Sequence, residues 1–504
     1  MCGYDLQADV VDVRRARSTD VEWSGPIGLL YVDGLHDVSS VGADFEHFAP
    51  RVVEGGIVAF DDYSPNFRGV MAVVDDVLRA GVFEKVTHAG DLVAVRRSAG
   101  AAGPDVSDSE ILGRLEALIE PEGRALLESL RGENVAGSGG LALGTRLRQR
   151  FSPELVAAAL GQQELRTRAT AKFTRAADMF LTRAGLEQAS AEVVSEHRSH
   201  RYRGSAMIAD LCCGIGGDLV ALAADAHVLA VDRDPVHLWM ACQNARAYGV
   251  DGNVETLEAD VRDVDLSGAD AVFIDPARRS AAGRKRVGES EPPLDWCLDL
   301  HRSVDRVGIK AAPGLPHDAV PAGWEMEFVA VDRDLKEAVL WSPGLATAAT
   351  RATLLPAGDT LVAGRGGDPV EVGDPSEYLL DPNPAVTRAG LVEDLARDLG
   401  AYKIDDQIAF LTSDAEVHSP FARTLRVIDS GPWKQKQLPE RLRQLDIGAV
   451  DIRRRGLAGD IDALHRKLKL SGSRRATLVM TRARDRPWAL ICIDLASASE
   501  GSPQ

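Results

Sequence analysis

The sequence predicts an α/β protein organised around a strand–helix alternating sheet between residues 205 and 349, with a helical subdomain before it and an α+β unit after it. Three observations predict this. Short apolar runs of strand length alternate with helical patterns. A glycine-rich turn separates the first run from a helix, and successive runs end in Asp or Glu.

The elements follow in order. In residues 1–97, GLLYVDGLH reads as a strand, the stretch through HFAPRVV as a helix, GGIVAFDDY as a strand, VMAVVDDVLRAG as a helix and VTHAGDLVAVRR as a terminal hairpin. Residues 98–109 are small, polar and Gly/Pro-containing, a linker. Over 110–204 apolar residues recur at three- and four-residue spacing, as a helical subdomain requires. In 205–349 the strands are MIADLCCG, AHVLAVDRD, DAVFIDPA and VGIKAAPG, closed by a further pair. Residues 350–420 are rich in Gly, Pro and Asp and weakly periodic, a connecting region. Residues 421–496 read as βαβαββ, close to a ferredoxin-like domain.

Bulk properties bound the class. At 504 residues the chain is too long for one ordinary domain, and 45% hydrophobic with 27% charged residues is a globular composition. No apolar run approaches the ~20 residues needed to cross a bilayer. The start, MCGYDLQADVV, has no secretory pattern, so a cytoplasmic protein without a membrane partner is expected. None of the six cysteines (Cys2, Cys212, Cys213, Cys242, Cys297, Cys492) forms a CxxC pair, which argues against zinc or a disulfide framework. The net charge of -18 excludes indiscriminate nucleic-acid binding by the whole surface. From Arg423 to Arg486, however, 17 Lys and Arg stand against 7 Asp and Glu, a surplus of +10 that leaves -28 elsewhere. A basic module on an acidic body is where a phosphate backbone binds, with a solvated charged face as the simpler alternative.

The strongest constellation is Asp210-Leu-Cys-Cys-Gly214-Ile-Gly216-Gly217-Asp218. Glycines at that corner let the backbone approach a ligand. A second strand ends in Asp232, where a carboxylate can accept from both hydroxyls of a ribose. A third acidic end, Glu258-Ala-Asp260, lies where an adenine amino group would be read, and a fourth strand ends in Asp275-Pro276. A nicotinamide dinucleotide fold is disfavoured, because the GxGxxG register places Leu219 at the third glycine.

This order of motifs resembles the class I S-adenosylmethionine-dependent methyltransferases, and implies their Rossmann-like sheet and their cofactor. DLCCGIGGDLVALAADAHVLAVDRDPVHLWMACQNARAYGV is particularly similar to RNA methyltransferases related to trimethylguanosine synthases. The resemblance implies that Asp210, Gly214, Gly216 and Asp218 line the methionine end of the cofactor, Asp232 the ribose and Asp260 the adenine. FTRAADMFLTRAGLEQASAEVVSEHRSHR and the basic tail resemble a bacterial group with a C-terminal THUMP-like domain, and likeness extends over about residues 105–496. Such enzymes often cap the cofactor with the segment equivalent to Thr182–Gln188; ordinary helix packing is the other reading.

Methyl transfer from a sulfonium is an in-line displacement, so the protein's main task is alignment. An exocyclic amine needs its lone pair freed from the ring, and a carboxylate with a nearby carbonyl can do that by accepting its N–H bonds. Asp275, Pro276 and Arg278 are the expected catalytic residues. Amino-directed members continue with a second proline and an aromatic residue; Ala277 and Arg278 stand there instead, which puts an exocyclic amine in question. Arg278 can stack on a base or hold a phosphate. Arg279, Arg284, Lys285 and Arg286 extend a basic loop beside the expected site. A covalent cysteine mechanism is disfavoured, since RVGIKAAPGLP carries no thiol. Lys310, at that strand's end, either touches substrate or snorkels. The cluster His197, Arg198, His200 and Arg201 lacks partners at metal-ligand spacing.

VDGLHDVSSVGADFEHFAPRVVEGGIVAFDDY resembles the back half of another methyltransferase family, with Asp33, His36, Asp61 and Asp62 at matching positions. No cofactor loop precedes it in the sequence, so a truncated or vestigial domain is expected, with a scaffold as the alternative. No metal site is assigned, although Asp33, His36 and Asp61 come nearest to one. In the tail, Arg453, Arg454 and Arg455 at a strand end are expected to hold RNA, as the THUMP-like resemblance implies. Trp433 and Trp488 either stack on bases or belong to the core. The expectation is methylation of a base nitrogen in structured tRNA or rRNA; the alternatives are a small-molecule or protein methyltransferase, and a non-catalytic RNA-binding protein keeping the fold.

Overall fold

The computed structural model describes residues 18, 21, 27–79, 82–97, 108–133, 135, 137–278, 290–364, 366–468 and 470–495. The chain divides into two compact units. One gathers Met1–Gln188, Asp234–Tyr248 and Arg278–Arg286; the other gathers Ala189–Arg233, Gly249–Ala277 and Val287–Gln504. Among the described residues no helix is long and apolar enough to cross a membrane.

The first unit contains a four-stranded sheet and a helical region. The sheet runs in the order Ile27–Val32, Val52–Phe60, Leu92–Arg97, Phe83–Ala89. Its first pair is parallel and the rest antiparallel. Val58, Phe60, Val93 and Val95 form its core with Val70, Val73 and Val74, the inner face of helix Arg68–Arg79. The helices Asp108–Ile119, Pro121–Leu130, Gly137–Leu147 and Pro153–Ala169 follow. Their apolar positions Leu115, Leu118, Leu126, Leu130, Leu155, Val156 and Ala159 are buried, as the spacing predicts.

One stretch departs from the helical reading. Met179–Thr182 is not helical, although the sequence pattern continues through it. Asn244, fully buried on helix Pro235–Tyr248, supplies the bonds that a helix would have made. Its Nδ2 donates to the Phe180 carbonyl at 3.0 Å, and its Oδ1 accepts from the Phe180 N–H at 2.7 Å. Gln162 does the same for Leu181, and Phe180 packs edge-on against Trp239.

The second unit holds two sheets. The larger has nine strands, ordered Asp359–Val362, Thr350–Leu355, Glu325–Val331, Asp334–Trp341, Arg306–Ala311, Ala271–Ile274, Met207–Leu211, His227–Asp232, Val254–Glu258. From Arg306–Ala311 to Val254–Glu258 all neighbours are parallel. Asp334–Trp341 then enters antiparallel on the other side. All four residues of Ala271–Ile274 and the last four of Met207–Leu211 are buried, as parallel strands covered on both faces must be. This is the Rossmann-like sheet that the alternation of strands and helices predicts. Residues 350–420, weakly periodic in sequence, are shared out: two strands extend this sheet and three join the next.

That second sheet has seven strands, ordered Tyr402–Lys403, Leu411–Ser413, Tyr378–Pro382, Ala422–Pro432, Arg486–Asp494, Arg474–Ala483, Ile447–Arg454. Its last four come from the tail in the βαβαββ order read from sequence, with helices Leu438–Gln444 and Ile461–Leu468 between them. Trp433 packs against the tail's core and Trp488 against the core on the sheet's other face. Both are partly buried at the margin of a core.

Candidate active site

The chain leaves Met207–Leu211 toward His227–Asp232 on one side, while Ala271–Ile274 pairs on the other. Loops after adjacent strands thus diverge, and the crevice at their carboxyl ends is where ligands bind in open α/β sheets. The glycine loop lies there. Cys212, Gly214 and Gly216 have φ of 60°, 54° and 81°, so the turn depends on left-handed backbone that Cys212 adopts at a cost. A side chain at Gly214 would point into open space. The loop is fastened across the strand ends: Gly214 N–H donates to Asp232 Oδ2 at 2.8 Å, Cys213 N–H to the Val231 carbonyl and Asp275 N–H to the Leu211 carbonyl.

Four acidic residues named from sequence behave differently. Asp210 is 1% exposed, and among the described residues neither carboxylate oxygen has a hydrogen-bond partner. Burial, then the nearby Asp275 carboxylate, pushes its carboxyl up to about 8. Asp232 orients the glycine loop through Gly214. Asp260 caps the turn Val261–Asp263 and pairs with Arg262, which also holds Glu291. Asp218 turns away from solvent to Arg198 and accepts from Ser190 at 3.3 Å.

At the fourth strand end, Asp275 Oδ2 lies 2.6 Å from Lys310 Nζ, and Lys310 is mostly buried. Sequence spacing gave Lys310 two readings; the structure makes it the partner of Asp275. Pro276 is buried and fixes the turn, and the backbone of Ala277–Arg278 is a short strand. Arg279, Arg284, Lys285 and Arg286 lie outside the described residues, as does the side chain of Arg278. Burial pushes the Cys212 thiol well up, and that of Cys297 up to about 12, so neither is a ready thiolate.

Sequence reasoning missed what HRSHR does. Arg198, 2% exposed, binds Asp218 and Glu337 and lies 4.7 Å over the Phe273 ring. His197 pairs with Glu327 at 2.8 Å, and Trp341 Nε1 donates to the same carboxylate. Arg201 and Arg351 both hold Glu325. Three fully buried glutamates on the closing strands were the available signal, since buried carboxylates need partners.

In the first unit, the reading that grouped Asp33, His36 and Asp61 is altered. Ligand atoms of Asp33, His36 and Asp62 lie within 4.8 Å of one another, with His36 Nε2 at 2.7 Å from Asp62. Asp61 accepts from Tyr31 Oη at 2.6 Å, and that bond pushes the Tyr31 hydroxyl up to about 12. The cluster is largely exposed. In the tail, Arg453 and Arg454 are exposed, and Arg454 donates to the Gly459 carbonyl. Arg455 points inward, 4.7 Å over Phe410 and 3.2 Å from the Ala409 carbonyl.

Several segments of the chain are similar to known methyltransferases. Family models match residues 205–291 (RNA cap guanine-N2 methyltransferase), 5–63 (methyltransferase domain), 422–493 (THUMP domain-like) and 111–169 (a domain of unknown function). The chain is 36% identical over 312 residues to an uncharacterized S-adenosylmethionine-dependent methyltransferase of Mycobacterium tuberculosis, in strains CDC 1551 / Oshkosh and ATCC 25618 / H37Rv; the match covers 60% of this chain and 84% of the relative. A crystal structure assigned to a methyltransferase from Porphyromonas gingivalis W83 superposes with a TM-score of 0.58 at 22% identity, over 68% of this chain and 92% of that one, which shows a shared fold. The chain belongs to the S-adenosylmethionine-dependent methyltransferases.

Proposed function

We propose that this cytoplasmic enzyme methylates a base nitrogen of structured RNA, tRNA or rRNA, at Asp275. One observation carries the reading. The buried carboxylate of Asp210, without a hydrogen-bond partner among the described residues, and the Asp275–Lys310 pair stand at one switch point, and both aspartates lie within the stretch similar to RNA cap guanine-N2 methyltransferases. The THUMP-like match and the exposed Arg453 and Arg454 support an RNA backbone as partner.

Asp210 fits the cofactor's cationic amino-acid end: a buried carboxylate that lacks donors is expensive until a cation or donor reaches it. Gly214 leaves room for that end, Gly216 would line it, Asp232 would accept from the ribose, and Asp260 would stand by the adenine. Arg198 keeps Asp218 in place at the end of the loop. S-adenosylmethionine supplies an electrophilic methyl group on a sulfonium. Asp275, oriented by Lys310, would accept an N–H of the target nitrogen, free its lone pair from the ring and take up the proton that the nitrogen releases on methylation, the C–S bond electrons staying on the cofactor's sulfur.

Mass spectrometry of nucleosides from cells with and without the gene, complemented by Asp275→Ala, tests this. A methylated nucleoside should vanish and return only with the unaltered gene. An unchanged nucleoside profile, with methyl transfer to protein or small-molecule extracts, would overturn it.

A further inference from the structure

We propose that Arg333, Arg423 and Arg453 form a phosphate-binding site for the substrate RNA strand, on the same edge of the catalytic sheet as Asp275; this rests on the RNA reading above.

The position follows from strand direction. Glu325–Val331 is antiparallel to Asp334–Trp341, which is antiparallel to Arg306–Ala311, which is parallel to Ala271–Ile274. Glu325–Val331 therefore ends on the same edge as Ala271–Ile274 and leads into the turn Asp332-Arg333. The register sets Ile274 level with Ile309, Leu340 and Met326, so Asp275 stands level with Glu327. Three strand spacings across and more than four residues along put the turn roughly 20 Å from Asp275. A strand of a few nucleotides spans that distance, with one base in the crevice and its backbone held at the turn.

The composition of the cluster supports an anion. Arg333 Nη2 reaches Asp381 Oδ2 at 2.9 Å and its carbonyl at 3.3 Å, so the turn of the catalytic sheet is tied to the THUMP-like sheet. Arg455 approaches the same carboxylate at 3.6 Å. Arg423 makes a forked pair with Asp494 at 2.5–2.9 Å. Arg453 is exposed, and the neighbouring Asp451 is taken by Arg475 at 2.9 Å. Arg333 and Arg455 thus share Asp381, Arg423 holds Asp494, and Arg453 adds an exposed guanidinium to the group. Burial, together with Arg453, Arg423 and Arg455, pushes Arg333 below its ordinary value despite Asp381. Guanidiniums that repel one another at a partly open surface suit a phosphodiester, whose oxygens match their forked geometry. Extruded, single-stranded RNA offers such a backbone beside a free base.

Binding of bulk tRNA to the full chain, measured across a salt series, tests the site. Arg333→Gln with Arg453→Gln should weaken binding at least tenfold at low salt and flatten the salt dependence by about one to two phosphate contacts. S-adenosylmethionine affinity by calorimetry should be unchanged. Arg453→Glu alone, at an exposed position that cannot unfold the sheet, should weaken binding in the same direction. Arg302→Gln, on another exposed surface, is the control. Unchanged affinity and slope in both cluster variants, or an equal loss in Arg302→Gln, overturns the site while leaving the RNA reading intact. Absence of tRNA and rRNA binding by the unaltered protein, with cofactor binding retained, overturns both.

Discussion

The four-stranded sheet of the first unit and half of the nine-stranded sheet share one topology. Ile27–Val32, Val52–Phe60, Leu92–Arg97 and Phe83–Ala89 are joined parallel, antiparallel, antiparallel. So are Ala271–Ile274, Arg306–Ala311, Asp334–Trp341 and Glu325–Val331. Both leading strands are followed by an aspartate. In the larger sheet the leading strand is wholly buried and flanked by the strand that carries the glycine loop. In the smaller it is an edge strand, with Leu29 67% and Tyr31 54% exposed. The acidic groups beside these leading strands differ accordingly. On the strand flanking the buried leader Asp210, cut off from water, is raised to about 8, whereas Asp61, after Val52–Phe60 and in contact with solvent and the Tyr31 hydroxyl, is lowered. Topology alone does not make the site; a second half-sheet that excludes water does.

Breaking the buried side of this comparison should have the largest effects. Arg198→Met leaves Asp218 and Glu337 buried without a counter-charge, and should cost about 3–5 kcal/mol in denaturant unfolding. Asp275→Ala should cut methyl transfer about 100-fold or more while calorimetry shows cofactor affinity retained. Asp210→Asn keeps the shape and removes the charge, and should weaken cofactor binding about tenfold, the worth of a charge-assisted bond. Affinity in the unaltered protein should also depend on pH. The empty site holds Asp210 protonated below about 8, and a cationic ligand favours the ionised form. Binding should therefore tighten as pH rises from 6 toward 8, level off above it, and lose this dependence in Asp210→Asn. On the exposed side, Tyr31→Phe removes the bond to Asp61 and should leave the melting temperature unchanged, because water replaces it.

What the sequence revealed was local. The glycine loop, the acidic strand ends and the tail's βαβαββ order each lie within a few residues of their own signal. Partnerships across the fold were not legible. Lys310 meets Asp275 from 35 positions away, and Arg198 meets Glu337 from 139. Nothing in HRSHR announces its glutamates, because ion pairs leave no periodicity. Residues 350–420 were obscure for a related reason: their strands are short and split between two sheets, so no single face repeats. Arg455 shows the converse, since adjacent arginines at a strand end look alike until Phe410 takes one of them.

The glutamates of the closing strands bear on how the enzyme can be divided. Glu325, Glu327 and Glu337 are held by Arg201, His197 and Arg198, all of which precede the first strand of the nine-stranded sheet. A fragment beginning at residue 205 would carry every residue proposed to face the cofactor, yet it would enclose Glu327 and Glu337 with these partners deleted and leave Glu325 only Arg351. The smallest autonomous catalytic piece must therefore begin upstream of that strand, by residue 189, and shorter expression fragments should be recovered only as aggregates.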